Sequence, residues 1–224
     1  EDMFLLNTDS YLYDLLRARE KFGEQINIKF GVELGLQPDY LKEISDYARS
    51  YDFDFIIGST HTFHKMDAED KRHYEDVDIE GISTEEGYRA YFNEILTSIR
   101  SFTNFDIYGH IDYVIRYSKT KDLNYCYGQY ADIFDPIIET LIANGKGIEI
   151  NTAGLDKGLK EQHPCAEFIR QYRQKGGEII TVGSDAHRPE DIGRHFDHAA
   201  DVLKACGFSY YCTFEKRVPT FHKL

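Results

Sequence analysis

The sequence predicts an α/β protein with a mainly parallel sheet, and three observations support this. Strand-length apolar runs alternate with helix-length segments along the 224 residues. No linker, low-complexity tract or repeat divides the chain, so we expect residues 1–224 to form one domain. Polar side chains directly follow several of the apolar runs, which favours a barrel-like arrangement whose loops converge on one face. An open doubly wound sheet is the alternative, and it would gather fewer consecutive strand ends.

The first part of the chain alternates regularly between the two kinds of element. The spacing and composition predict, in order, a helix over 11–22, a strand over 26–33, a helix over 40–51 and a strand over 53–57. Asp39 is expected to cap the second of these helices. Residues 62–83 have many charges and no periodicity, so we expect a long loop over a strand end.

The second part continues the alternation. The expected elements are a helix over 83–102, a strand over 105–109, a helix over 130–143, a strand over 147–151, a helix over 166–175, a strand over 179–182, a helix over 191–205 and a last strand over 208–214. Ser83-Thr84-Glu85-Glu86 is typical of a helix start, and Asn144-Gly145 of a helix stop. We expect the last strand to lie at a sheet edge.

Composition excludes several functional classes. The net charge of −13 at pH 7, with no basic run longer than two residues, disfavours binding to nucleic acid. A small anionic substrate remains compatible, because bound divalent cations would dominate the potential of an acidic site. The apolar runs are too short and too interrupted by charge to span a bilayer, and no basic region precedes the first of them as in a signal peptide.

The cysteines indicate the compartment. They are widely spaced and form no Cys-x-x-Cys pair, which argues against a zinc knuckle or a redox motif; they are Cys126, Cys165, Cys206 and Cys212. We expect a reduced, cytoplasmic protein, although four cysteines could form two bridges in an exported one.

Imidazoles and carboxylates stand at or just after the predicted strands. They are Glu33, His61, His110, Asp185 and His187. Side chains of these types, gathered at the carboxyl ends of successive strands, are what a hydrolytic metal centre requires. Asp185 and His187 would face the same way if their segment is extended. We therefore predict that the five residues bind metal and form the catalytic site. The alternative for each one alone is a structural role, as a paired carboxylate or a buried histidine.

Other polar residues are candidates for holding a substrate. His64 follows His61 in the expected long loop, and the planar guanidinium of Arg116 or of Arg188 would suit a phosphate dianion. Each could instead be an ordinary surface residue. We expect surface or helix-face positions for the remaining histidines, which are His73, His195, His198 and His222, and a position near a helix start for His163. No Gly-x-Gly-x-x-Gly, P-loop or Gly-x-Ser-x-Gly run occurs.

Five short motifs occur in a specific order. They are Gly-Val-Glu at 31–33, Gly-Ser-Thr-His at 58–61, Gly-His-Ile-Asp at 109–112, Glu-Ile-Asn at 149–151 and Gly-Ser-Asp-Ala-His at 183–187. In these motifs the chain resembles the PHP (polymerase and histidinol phosphatase) superfamily, and most closely its monofunctional histidinol-phosphate phosphatases. The resemblance implies a distorted (β/α)7 TIM-like barrel. It also implies two or three divalent ions (Zn, Mn or Fe) and hydrolysis of L-histidinol phosphate to L-histidinol and phosphate in histidine biosynthesis.

The resemblance also implies a role for each matching residue. Glu33 would bridge two metal ions, His61 and His110 would be ligands, Asp185 and His187 would complete the cluster, and Arg116 would help to hold the phosphate. One departure concerns residues 1–25, which contain neither the His-x-His that ends the family's first strand nor the ligands that follow it. We therefore expect the chain to lack the first one or two barrel strands.

Two other functions remain open at this point. The chain could be a PHP phosphoesterase that acts on another small phosphate ester or on a nucleic-acid end. It could also be a degenerate, non-catalytic PHP scaffold, because the first motif is missing. The sequence carries no signal for an oligomeric state.

Overall fold

The structure of the chain is a computed structural model that describes residues 6–64, 71–73 and 83–224. Within these residues the helices are α1 (Thr8–Phe22), α2 (Leu41–Ser50), α3 (Thr84–Ser101), α4 (Ala131–Ala143), α5 (Ala153–Asp156), α6 (Ala166–Gln174) and α7 (Phe196–Ala205). The strands are β1 (Gly31–Gly35), β2 (Phe55–Ser59), β3 (Thr62–His64), β4 (Lys71–His73), β5 (Ile107–Tyr108), β6 (Gly147–Asn151), β7 (Ile180–Gly183), β8 (Tyr210–Glu215) and β9 (Val218–Lys223).

Five strands form one parallel sheet in the order β1-β2-β5-β6-β7. The predicted α/β class with a parallel sheet is therefore confirmed. Each new strand is added on the same side of the previous one, whereas a doubly wound sheet reverses its direction of growth. This sequential order is that of a β/α barrel, and it brings the carboxyl ends of successive strands to one edge.

Strand β1 begins later than the sequence predicted. The expected strand over 26–33 is wrong at its start, because side chains bind the backbone of the residues before Gly31. Arg19 Nε donates to the Ile28 carbonyl at 2.7 Å, and the Phe30 amide donates to Asp54 Oδ2 at 2.9 Å. These side chains satisfy polar backbone groups that a strand would pair in its ladder.

Helix boundaries follow local capping chemistry. Helix α3 begins with the predicted capping box, in which Ser83 and Glu86 bind each other's backbone amides. The expectation that Asp39 caps α2 is wrong, because Asp39 lies inside a 3-10 turn at Pro38–Tyr40 and the helix begins after Tyr40. Helix α7 begins at Phe196 rather than near residue 191, after a left-handed residue, His195, with φ of 60°.

Two antiparallel strand pairs stand apart from the main sheet. In the predicted loop over 62–83, β3 pairs with β4, and residues 65–70 and 74–82 lie outside the described residues. The predicted last strand is β8, but it pairs with β9 in a hairpin instead of forming an edge of the parallel sheet. The hairpin turn consists of Lys216 and Arg217, both with positive φ. The sequence missed it because this turn usually carries Asn-Gly or Asp-Gly.

The hairpin closes the amino-terminal edge of the sheet. Cys212 and Phe214 of β8 pack with Ile107, against Phe55 and Ile57. At the turn, Arg217 Nε donates to both carboxylate oxygens of Asp106, at 2.7 and 2.6 Å. The opposite, carboxyl-terminal edge is therefore the one left for a site.

Two further features concern the cysteines and the helices. All four cysteines are free thiols, and two of them, Cys206 and Cys212, are buried. None of the helices in the described residues combines the length and the apolar character needed to cross a membrane.

Candidate metal centre

Three neighbouring strands bring Glu33, His61 and His110 together. Glu33 is the third residue of β1, beside Ile57 of β2. His61 and His110 each lie two residues after the end of a strand, because β2 ends at Ser59 and β5 ends at Tyr108. One donor atom from each of the three lies within 4.8 Å of the other two. The sequence therefore located the residues that the fold gathers.

The distances in this cluster fit a metal ion. Glu33 Oε1 lies 3.1 Å from His110 Nε2 and 3.4 Å from His61 Nε2. A tetrahedral zinc ion with ligands at about 2.0–2.1 Å separates its donor atoms by about 3.3 Å. Two imidazoles and a carboxylate are also a donor set that Zn, Fe and Mn accept. The residues present therefore fit a divalent cation.

The environment keeps Glu33 charged. Burial alone would raise the pKa of its carboxyl, but the hydrogen bond with His110 and the nearby His110 and His61 imidazoles lower that pKa to about 2. Burial alone would lower the pKa of His110, and the hydrogen bond and charge of Glu33 reverse this and raise it. Glu33 is thus an anion at neutral pH, as a metal ligand must be.

The cluster is accessible from one side. The His110 side chain is only 4% exposed, whereas the Glu33 and His61 side chains are 35% and 33% exposed. The residue before His61 is held in place. The Thr60 and Tyr108 hydroxyls form a 2.5 Å hydrogen bond, and the Tyr91 hydroxyl donates to the Thr60 carbonyl. A ligand can therefore approach Glu33 and His61 while His110 stays packed.

Glu149 is a functional candidate that the sequence interpretation did not include among the site residues. It is the central residue of β6 and is buried, and its Oε2 accepts the His110 amide and the Asn151 side-chain amide. Burial raises the pKa of Glu149 to about 7, and the charges on Glu33 and Asp185 add to this rise. The signal in the sequence is a carboxylate between two isoleucines, in a strand that is buried throughout.

Asp185 and His187 lie after β7, on the same edge of the sheet. Asp185 is partly buried, and its charge influences His110 and Glu149. The condition for the two side chains to face the same way, an extended segment, is not met, because Asp185 has φ of 51°. His187 Nδ1 is instead bonded to the Asp185 carbonyl at 2.8 Å, and its side chain is 84% exposed. The structure thus places Asp185 near the cluster and turns His187 towards solvent.

The Tyr113 ring lies between Arg116 and the cluster. Its guanidinium carbon is 3.7 Å from the centre of the Tyr113 ring, and that ring is centred 4.2 Å from the His110 ring. Arg116 donates to the hydroxyls of Tyr113 and Tyr117. The guanidinium is therefore held in one place, separated from the candidate ligand His110 by the Tyr113 ring. Arg188 is exposed, and the side chain of His64 lies outside the described part of the structure.

His163 has a larger structural role than the sequence suggested. It lies three residues before α6 and is fully buried, with Nδ1 2.6 Å from Asp112 Oδ1. The other oxygen of Asp112 accepts the Tyr125 hydroxyl and the Cys165 amide. Asp112 thus joins the segment after His110 to the segment before α6.

The other histidines of the described region contact polar neighbours away from the cluster. His195 lies 3.0 Å from Asp156, His198 3.0 Å from Gln162 and His222 2.7 Å from the Thr213 hydroxyl. His198 and His222 are partly buried and His195 is more exposed, so they fit the expected surface and helix-face positions. The side chain of His73 lies outside the described residues.

The fold and the cluster define the class of protein: an α/β protein with a candidate nitrogen- and oxygen-donor metal site at the carboxyl edge of its parallel sheet. Residues 2–153 match the model of the PHP domain family. The chain belongs to the PHP domain family.

Known proteins with similar sequences and structures agree with this assignment. A histidinol-phosphatase from Lactococcus lactis is 29% identical over 211 residues, which is 94% of this chain and 77% of the relative. The crystal structure of histidinol phosphate phosphatase from Lactococcus lactis, complexed with zinc, L-histidinol and phosphate, superposes with a TM-score of 0.80 and 26% identity. The match covers 97% of this chain and 81% of that one. A second solved structure, from Listeria monocytogenes, has a TM-score of 0.71 at 19% identity, over 85% and 75% of the two chains, and supports the fold.

Proposed function

We propose that this protein is a metal-dependent histidinol-phosphate phosphatase, which hydrolyses L-histidinol phosphate to L-histidinol and phosphate in histidine biosynthesis. The observation that carries the proposal is the Glu33, His61 and His110 cluster, with donor separations that suit a metal ion, in a chain similar to a phosphatase that binds zinc, L-histidinol and phosphate. We also propose that residues 1–224 act as a single catalytic domain in the cytoplasm. The four free thiols are compatible with a reducing compartment.

We propose that the site holds two or three divalent ions, Zn, Mn or Fe. Glu33, His61 and His110 are the best-supported ligands, because their donor atoms already converge. Asp185 and His187 are proposed to complete the cluster; His187 then has to turn its exposed ring inwards. When bound, such ions offset the negative charge that develops on the phosphoryl oxygens.

The residues of the chain supply the remaining functions. Arg116, held against Tyr113 beside His110, is positioned to bind the phosphate of a substrate that enters on the exposed Glu33 side. Nη2 of Arg116 already donates to the Tyr113 and Tyr117 hydroxyls, so the phosphate is proposed to bind at the remaining N–H groups of the guanidinium, whose positive charge attracts the anion. His64 and Arg188 are proposed as further substrate contacts. The net charge of −13 supports a small phosphorylated substrate rather than a nucleic acid.

The proposal is tested by phosphate release from L-histidinol phosphate by the full chain, supplied in turn with Zn, Mn and Fe. We expect turnover with at least one metal, none with Glu33→Ala, and wild-type turnover with Glu43→Ala, an exposed carboxylate on α2. Nucleotides, simple phosphate esters and DNA ends are compared in the same assay. Faster turnover of one of these would identify a different PHP phosphoesterase, and no turnover of any substrate, with no bound metal, would identify a non-catalytic scaffold.

A further inference from the structure

We propose that Glu149 is a positioning residue, whose carboxylate holds the main chain of His110 in the conformation that brings the His110 ring to Glu33. The inference rests on the proposed function, because it assumes that His110 binds a metal ion. It assigns a role to a buried side chain that is not part of the three-residue cluster.

His110 has a backbone conformation that needs support. Its φ is 29°, in a region that residues with a side chain rarely adopt. Such conformations persist where the surroundings fix them from several directions. Hydrogen bonds do this on both sides of the residue: the His110 amide donates to Glu149 Oε2 at 3.2 Å, and the Tyr113 amide donates to the His110 carbonyl at 2.8 Å.

Glu149 is itself held in a fixed place. Asn151 Nδ2 donates to the same Oε2 at 3.1 Å, and Asn151 Oδ1 accepts the Ala153 amide at 3.0 Å. Glycines leave the room for the carboxylate. A Cβ on Gly183 would lie 2.1 Å from Glu149 Oε1, and a Cβ on Gly109 would lie 3.4 Å from Oε2. The carboxylate can therefore act as a rigid support.

Stability alone does not explain Glu149. A carboxylate buried between Ile148 and Ile150 is costly unless a charge or hydrogen bonds compensate it. Among the described residues, Glu149 forms no ion pair with a lysine or arginine. Glu149 does interact with the cluster of Glu33, His61 and His110. It accepts a hydrogen bond from the His110 amide, and it interacts electrostatically with Glu33 and His110. Groups that orient metal ligands from behind typically change metal affinity when they are replaced.

Two variants of Glu149 separate hydrogen bonding from other effects. Glu149→Gln keeps an oxygen that can accept the His110 amide, whereas Glu149→Leu keeps only the bulk. We expect Glu149→Gln to bind zinc like the wild type and Glu149→Leu to bind it about 10–100-fold more weakly, measured by competition with a chromogenic chelator. Without metal, hydrogen exchange of the His110 amide is expected to be slow in the wild type and in Glu149→Gln, and fast in Glu149→Leu.

Asp106→Asn is the matched control. Asp106 is also a buried carboxylate that accepts a main-chain amide, that of Ile56 at 2.8 Å, but it lies at the opposite edge of the sheet. We expect this variant to lose stability with no change in zinc affinity or in exchange at His110. Unchanged zinc binding by Glu149→Leu, or an equal loss in Glu149→Gln and Glu149→Leu, would overturn the inference. A wild-type chain that binds no zinc would refute the metal centre instead, and the exchange measurement would still decide whether Glu149 holds His110.

Discussion

Two glycines at strand ends leave the space that neighbouring side chains of the site occupy. Gly183 has an ordinary backbone conformation, so its lack of a Cβ matters only for space, and that space is occupied by the Glu149 carboxylate. Gly109 is similarly crowded, because a Cβ there would lie 2.9 Å from Ile57 Cγ2. The glycine before Asp185 thus leaves room for Glu149, and the glycine before His110 leaves room for Ile57.

Gly183→Ala is expected to damage the site. The added methyl group meets Glu149 Oε1, so either the strand or the carboxylate must move, at a cost of about 1–3 kcal/mol in the free energy of unfolding. Zinc affinity should fall in the same variant. Urea unfolding and zinc titration measure the two effects. Gly128→Ala is the control, because a Cβ at that position meets no atom within 4 Å. Wild-type stability and affinity in Gly183→Ala would contradict the steric explanation.

The residues of the site differ in how well the sequence revealed them. Glu33, His61 and His110 were found because polar side chains at strand ends interrupt an apolar pattern. Their proximity follows from the parallel sheet, while their role as ligands stays a prediction. Glu149 was missed as a site residue because its chemistry depends on a partner 39 positions away, the His110 amide. The left-handed turn at Asp185 was missed because residue type alone does not specify it.

At the scale of elements, single aspartates join strands to distant segments. Asp54 directly precedes β2, and it accepts hydrogen bonds from the Phe30 amide before β1, from the Lys216 amide in the β8–β9 turn, and from Arg19 of α1. Asp106 has the equivalent position before β5 and binds Ile56 and Arg217. The amino edge of the sheet is therefore held by the carboxylates of Asp54 and Asp106 as well as by apolar packing.

Asp54→Asn is expected to destabilise the fold by about 2–3 kcal/mol at pH 7, because an amide group would face the donors that the carboxylate accepts. Burial opposes ionisation of Asp54, but its hydrogen bonds lower its pKa in the folded state. Its stabilisation is therefore complete above the unfolded-state pKa of about 3.9 and is lost as the pH falls through the lower folded-state pKa.

The pH dependence distinguishes this explanation from a general packing defect. The difference in unfolding free energy between the wild type and Asp54→Asn should shrink as the pH is lowered below the unfolded-state value, when both side chains become neutral. Asp52→Asn, an exposed neighbour, should match the wild type at every pH. Chemical denaturation between pH 7 and pH 3 measures both variants. If the difference in unfolding free energy between the wild type and Asp54→Asn stays constant down to pH 3, the assigned role is contradicted.

Elements with a strong local signal were predicted well. Strand β6 has the predicted bounds, and α3 begins at its capping box. Errors arose where long-range contacts override the local pattern. The backbone before β1 is bound by Arg19 and Asp54, and β9 follows a turn whose two residues, Lys216 and Arg217, do not resemble a hairpin turn. Those contacts span up to 162 positions, beyond the range of any periodicity.

At the scale of the whole molecule, metal binding should stabilise the fold. The candidate ligands Glu33, His61 and His110 are 28 and 49 positions apart in sequence, so an ion that binds all three favours the folded chain over the unfolded one. Zinc at about 100 times its dissociation constant contributes about 2.7 kcal/mol. For a chain of this size, this corresponds to a rise in Tm of about 5–11 °C.

Thermal unfolding with zinc, and with zinc plus excess chelator, measures this rise. Glu33→Ala should lose most of it and Glu43→Ala should retain it. A Tm that is the same in zinc and in chelator would count against a resident zinc ion. Glu43 is an exposed carboxylate outside the cluster. Comparing Glu43→Ala with Glu33→Ala therefore distinguishes zinc binding at the cluster from zinc binding to exposed carboxylates.

The β8–β9 turn has a consequence for the order in which the chain can fold during synthesis. Asp54 and Asp106 directly precede β2 and β5, but their partners are translated much later. Lys216 follows Asp54 by 162 positions, and Arg217 follows Asp106 by 111 positions. If β2 and β5 pack before the hairpin is made, the two carboxylates lose contact with water before these hydrogen-bond partners are available. The amino edge of the sheet should therefore stay open on the ribosome and close only once the hairpin emerges, so the first half of the chain needs protection from aggregation during that interval.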